Sequence, residues 1–228
     1  MRSLLKALGV VAVLVTVAVV PAVSETSNTV APVFAVNGIP GGVVQFSTEA
    51  TVLGTHSVKM QIPAGGHPAG YGWGLNAEVY LATGMSRSRG LALYDGVSFK
   101  AKPANPGRSL YVSLILHDRS TGAWVSMLSY APVWAAAGDS GWYTVTVPAG
   151  APWDGWTFGG AHYGPGYVAL AEWDSWIERH GIDLDVRRVN IQFGYDASTA
   201  PGTAYVDGLS FDGRTLDFEP ESDDHAGS

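Results

Sequence analysis

The chain has no cysteine among its 228 residues, so neither a disulfide framework nor thiol chemistry can hold it together or serve it. An apolar core must do that work, and a chain of this length can bury one. Positive charge is also scarce. Thirteen Lys and Arg stand against twenty Asp and Glu, a formal net charge of −7, and no basic cluster is present to meet a phosphate backbone, which excludes nucleic acid as an expected partner. Long apolar runs are missing after the first two dozen residues. Motifs that would announce chemistry are missing too: there is no Gly-x-Ser-x-Gly elbow and no His-Glu-x-x-His zinc site.

What is present is glycine, proline and aromatic rings. The 29 Gly and 13 Pro follow no collagen-like period, and with 8 Trp and 10 Tyr they describe many short strands joined by tight turns. Residues 189–219 set the class. There, Val-Asn-Ile-Gln-Phe-Gly-Tyr-Asp, Ala-Tyr-Val-Asp-Gly-Leu-Ser-Phe and Thr-Leu-Asp-Phe-Glu each alternate with a period of two and are closed by Pro201-Gly202 or Asp212-Gly213. Arg2 and Lys6 precede an apolar run over residues 7–20, with Ala22-Val23-Ser24 at cleavage spacing, so residues 1–24 read as a secretory signal peptide. The alternative is a retained membrane anchor, for which the run is short of the roughly 20 residues a spanning helix needs.

Four segments share one pattern. In residues 71–80 Leu75, Ala77 and Val79 oppose Asn76, Glu78 and Tyr80; in 110–117 Leu110, Val112, Leu114 and Leu116 oppose Tyr111, Ser113, Ile115 and His117. In 124–130 Val125 and Met127 oppose Trp124, Ser126 and Tyr130, and in 189–195 Val189, Ile191 and Phe193 oppose Asn190 and Gln192. If the apolar faces share one core, period-two geometry gathers the other set on the opposite face of the same sheet. Sugar-binding surfaces need that mixture, rings for the C–H faces of pyranoses and amides or carboxylates for their hydroxyls. Glu78, Tyr111, His117, Trp124, Tyr130, Asn190 and Gln192 are therefore the candidate ligand-binding residues. The plain alternative is the solvent side of an antiparallel sheet.

Ala-Tyr-Val-Asp-Gly-Leu-Ser-Phe at 204–211 resembles the closing strand of jelly-roll carbohydrate-binding modules and their galactose-binding-like relatives. Gly54-Thr-His-Ser-Val-Lys-Met60 is similar to an early strand of that group, and Tyr94-Asp-Gly-Val-Ser-Phe-Lys-Ala101 to an inner one. The resemblance implies a jelly roll and a structural calcium ligated by Asp207. An Asp opening a turn before Gly208 is the other explanation of that residue. The group's Phe-Glu near its first strand is absent; Val33-Phe34-Ala35 stands there, and Phe218-Glu219 lies at the far end.

Tyr143, Val145 and Val147 predict a further strand. Residues 152–160 read as loop or edge, with Trp153 and Trp156 either plugging the core or offering a sugar platform. The spacing of Trp173, Trp176 and Ile177 over 167–180, followed by Gly181, predicts one amphipathic helix packed on the sandwich. The expectation is an all-β jelly-roll sandwich of two antiparallel sheets with one short decorating α-helix over residues 33–219, after a linker at 25–32 and before a disordered acidic tail at 220–228. Functionally, it is a secreted, monomeric, non-catalytic binder of an extracellular carbohydrate. A jelly-roll polysaccharide lyase or glycosidase using His117, Tyr195 and Gln192 is the enzymatic alternative, although the paired strand carboxylates and the Gln-x-His runs of such enzymes are absent. A structural surface domain without a small ligand is the third.

Overall fold

The computed structural model describes residues 28–37, 39–65, 74–80, 91, 96–103, 110–129, 141–194, 201–211 and 213–220. The expected signal peptide, the tail beyond residue 220, and the candidates Tyr130 and Tyr195 lie outside them. In chain order the first strands are β1 (Asn28–Val30), β2 (Val33–Asn37), β3 (Val43–Ser47), β4 (Ser57–Ile62), β5 (Gly74–Tyr80), β6 (Gly96–Pro103) and β7 (Leu110–Asp118). They are followed by β8 (Trp124–Ser129), β9 (Tyr143–Pro148), β10 (Trp153–Thr157), β11 (His162–Val168), helix α1 (Leu170–His180), β12 (Leu184–Phe193), β13 (Gly202–Phe211) and β14 (Arg214–Phe218).

Two seven-stranded sheets result. Sheet I runs β1-β14-β13-β4-β3, with β6 on the other side of β13 and β9 beyond it; sheet II runs β11-β10-β8-β7-β12-β5-β2. All described pairings are antiparallel except β1 with β14. The chain is thus an all-β sandwich with a single described helix, as its composition and alternation require. β1 falls inside residues 25–32, expected as linker: three residues add a parallel edge to β14, too short a run for alternation to reveal.

The core follows the period-two reading. Val58, Met60 and Ile62 of β4, with Phe99 of β6 and Val206 of β13, face Leu75, Ala77, Leu114, Ile191 and Phe193 from sheet II, all at 0–1% exposure. Burying such side chains contributes about 1.5–3 kcal/mol each, which is what replaces the missing disulfides.

One end of sheet II is finished by α1. Its N-cap, Ala169, offers no side-chain bond, so the helix depends on packing: Leu170, Trp173 and Ile177 are buried, and Trp173 Nε1 donates to Trp153 O at 3.1 Å. Gly181 at φ +62° closes it, with its N–H to Glu178 O and Ile182 N–H to Ile177 O. The helix begins three residues later than the spacing predicted, because residues 162–168 pair with β10 as the edge strand β11. The stretch 152–160, read as loop or edge, holds edge-side strand β10, and its alternation splits the two tryptophans. Trp153 is fully buried as a core plug, whereas Trp156 points to the outer face and is 37% exposed.

Candidate functional site

The outer face of sheet II carries the candidate residues. Backbone register sets its rows: Asn190 of β12 lies opposite Glu78 of β5 and Ser113 of β7, and Gln192 lies opposite Asn76 and Tyr111. One row along, Arg188 is opposite Tyr80 on one side and Ile115 on the other. Ser113 and Ile115 face Leu128 and Ser126 of β8, which in turn face Asp154 and Trp156 of β10. His117 and Trp124 form the next pair, with Asp185 beyond His117. All six described members of the candidate set therefore share one face of one sheet.

The face differs from expectation in its depth. Asn76, Glu78, Ser113, Asn190 and Gln192 lie at 0–7% exposure, not on an open surface. On central strands each side chain is flanked about 4.8 Å away on either side, and row-mates shield one another. Exposure is concentrated in the rings at the margins: Trp124 at 42%, Trp156 at 37% and Tyr80 at 54%.

Several buried polar atoms of this floor have no hydrogen-bond partner among the described residues. They include Asn76 Oδ1, Asn190 Oδ1, Gln192 Oε1, Ser113 Oγ, His117 Nδ1 and Asp185 Oδ1. Leaving such an atom buried and unpaired costs about 1–3 kcal/mol, and a native fold carries few. Eight of the twelve such atoms among the described residues lie on this face.

The charges on the face are matched. Arg188 donates from Nη1 to Glu78 Oε2 at 2.5 Å and to the Tyr80 hydroxyl at 2.8 Å, and its guanidinium lies 5.3 Å from the Tyr80 ring centroid. Arg187 Nε is 2.8 Å from Asp185 Oδ2, close in charge but not aligned for a hydrogen bond. Asp154 accepts from Trp156 Nε1 at 2.9 Å and pairs with His162 Nε2 at 2.9 Å. The His117 ring stacks at 4.8 Å on Trp124, whose other neighbour is Phe158 at 6.3 Å.

Asp154, His162, Asp185 and Arg188 were not among the expected residues, and Trp156 was expected as either a core plug or a sugar platform. Asp154 and His162 sit on strands that alternation did not predict. For the other two the signal was the Arg187-Arg188 doublet: two successive charged side chains cannot alternate, and the strand bulges there, shifting register between Val186 and Arg188. Val186 and Val189 thus both reach the core, while Asp185 and Arg188 both face outward.

One expected grouping changes. His117 and Gln192, paired with Tyr195 in the enzymatic alternative, do not converge: Gln192 is opposite Tyr111, six residues along β7 from His117, about 20 Å at strand rise. Asp207 lies on sheet I, not with the ligand-binding candidates. It is fully buried and anchors the loop at 52–53: Oδ2 accepts Val52 N–H at 2.7 Å and Leu53 N–H at 3.0 Å, and Oδ1 accepts Gly208 N–H at 2.8 Å.

The same loop collects Glu219, which lies 164 residues from Thr55 in the sequence. Glu219 Oε1 accepts Thr55 N–H at 2.5 Å and His56 N–H at 3.1 Å, while Oε2 meets His56 Nδ1 at 2.7 Å. Between them Gly54, at φ +53°, lies so near that a Cβ would stand 2.1 Å from Glu219 Oε1 and 2.5 Å from Asp217 Oδ2. Burial, opposed by its amide bonds, raises the Asp207 pKa, and burial with the Asp207 and Glu219 charges raises that of Asp217. Asp217 Oδ1 is buried without a partner, whereas both carboxylate oxygens of Asp207 accept backbone amides. Among the described residues no group of three or more His, Asp or Glu side chains could hold a metal ion as it stands.

No protein-family model matches the chain, and no curated protein does. Among solved structures it is similar to the endo-beta-1,4-glucuronan lyase from the fungus Trichoderma reesei, at 14% identity and a TM-score of 0.40, over 82% of this chain and 93% of that one. At that distance no chemistry is carried from one chain to the other.

Proposed function

We propose that this chain is a secreted carbohydrate-binding domain whose ligand lies on the outer face of sheet II. One observation carries the reading: buried acceptors without partners, on Asn76, Asn190 and Gln192, line a floor bordered by the exposed rings of Trp124, Trp156 and Tyr80. Hydroxyls supply hydrogen bonds to such a floor, and pyranose C–H faces stack on such rings. Glycan-array binding, combined with an assay for products released from the same polymers, tests it. Binding without release is expected; no binding to any glycan contradicts it.

Cleavage of the bound polymer is the second reading, and one observation favours it. His117 and Asp185 are cross-strand neighbours, and each presents a buried polar atom without a partner, Nδ1 and Oδ1. A general base needs an atom whose lone pair is not already shared. Product release that disappears in His117→Ala decides for this reading.

The proposal includes a structural calcium beside the loop at 52–56, with Asp217 as its ligand from this cluster. Its support is the unpartnered Asp217 Oδ1 and the proximity of three carboxylates. The ion would supply the positive charge that this loop lacks. Calcium added after chelation is expected to raise the melting temperature of the parent and leave Asp217→Asn unchanged; equal response of the two contradicts the site.

A further inference from the structure

The charge pairing on sheet II narrows the class of ligand. We infer that the bound carbohydrate is an uncharged glycan chain that lies across the strands from Trp156 to Tyr80, and not a polymer of uronic acids. The inference rests on the carbohydrate-binding reading above and concerns the same face.

Three observations converge. First, both guanidiniums described on the face already have a carboxylate: Arg188 has Glu78 and Arg187 has Asp185. A uronate arriving at Arg188 competes with Glu78 for the guanidinium and meets the repulsion of that buried carboxylate, which offsets what the new pair returns. Glu78, Asp154 and Asp185 outnumber the two guanidiniums, and the whole chain carries −7, so the long-range field also repels a polyanion.

Second, four of the eight unpartnered atoms on this face can only accept, the amide oxygens of Asn76, Asn190 and Gln192 and Asp185 Oδ1; Ser113 Oγ and His117 Nδ1 can take either role. An ionised carboxylate cannot donate to them, whereas each sugar hydroxyl can. The unpartnered donors, Nε of Arg187 and of Arg188, belong to guanidiniums whose charge is already matched, and they suit a neutral hydroxyl oxygen.

Third, the exposed rings are placed for a chain. Trp156, Ser126, Ile115, Arg188 and Tyr80 follow one another in a single register row from β10 to β5. Four strand intervals separate the end rings, about 19 Å at sheet spacing, a length that suits an oligosaccharide and exceeds a single sugar. The amide floor of Asn190, Asn76 and Gln192 lies alongside that row.

Calorimetric titration of the full chain with hexasaccharides of β-1,4-glucan, β-1,4-mannan and β-1,4-galactan, each beside its C6-oxidised uronic acid counterpart, tests the inference. At least one neutral hexasaccharide is expected to bind, about tenfold or more tighter than its oxidised partner, and its disaccharide to bind more weakly still. Glu78→Gln, which releases Arg188, is expected to raise affinity for the oxidised form severalfold. An oxidised member that binds the parent as well as the neutral one overturns this inference and leaves carbohydrate binding intact. No gain in Glu78→Gln overturns the explanation by ion pairing. Binding to none of the six, nor to any glycan on an array, removes the carbohydrate reading itself.

Discussion

Trp173 fills the space in which a side chain on Gly164 would begin: a Cβ there would stand 2.1 Å from Cη2 of the indole. Gly155, on the strand beside it, is equally close, with a Cβ at 2.4 Å from the same atom. The helix therefore docks through one ring laid over two glycines, and the edge of sheet II is held by that contact.

Gly164→Ala is expected to lose about 3 kcal/mol, since it adds overpacking against a buried ring to the strain of φ +98° at a residue with a Cβ. Urea denaturation measures it. A loss below about 1 kcal/mol would show that the helix can slide aside at little expense.

Trp124→Ala is expected to behave in the opposite way. The ring is 42% exposed and leans on His117 and Phe158, so its removal should change stability by less than about 1 kcal/mol. Loss of a stacking ring should weaken glycan binding about tenfold. Thermal melts beside titrations of the bound glycan separate the two effects. A large fall in melting temperature would place the ring in the core.

Acid should release two latches. Asp118 holds the β7–β8 turn: it accepts from Ser120 N–H at 2.9 Å, the Thr121 hydroxyl at 2.7 Å and the Tyr163 hydroxyl at 2.9 Å, and also from the Ser120 hydroxyl. Burial opposes these bonds, but together they lower its pKa to about 2. At Glu219 the bonds from Thr55 and His56 likewise overcome burial and lower the pKa to about 2. Both carboxylates bind protons more weakly folded than unfolded, so their contribution is complete above about pH 4.5 and is lost as pH falls toward 2. For Asp118 that amounts to at most roughly 2 kcal/mol. Asp207 has the reverse sign: its folded pKa is raised, so it favours the folded state most in acid and less as pH rises through that value. Stability measured from pH 6 to pH 2 should fall less steeply in Asp118→Asn than in the parent; parallel curves contradict the latch.

The sandwich was legible in the sequence because its core strands alternate strictly: Leu110, Val112, Leu114 and Leu116 inward, Tyr111, Ser113 and His117 outward, with the same rule in β5, β8 and β12. That rule also brought Glu78, Asn190 and Gln192 to one face. Alternation fails where the backbone departs from it. The bulge at Arg187 concealed Asp185 and Arg188, and Trp153-Asp-Gly-Trp156 read as loop or edge because nothing local shows that the missing side chain of Gly155 makes room for Trp173. Depth is not legible either. A polar residue at an outward position reads as exposed, whereas Asn190 and Gln192 are buried by their neighbours across the ladder. Nor could sequence distance reveal that Glu219 would share a loop with Asp207.

The most direct measurement is a heteronuclear NMR titration with a neutral hexasaccharide that binds, following the side-chain amides of Asn76, Asn190 and Gln192 and the indole N–H of Trp124 and Trp156. Shifts confined to these groups and to their row-mates on sheet II are predicted. Shifts gathered instead on sheet I, around Lys59, Tyr205 and Lys100, with the three amides unmoved, would contradict the account.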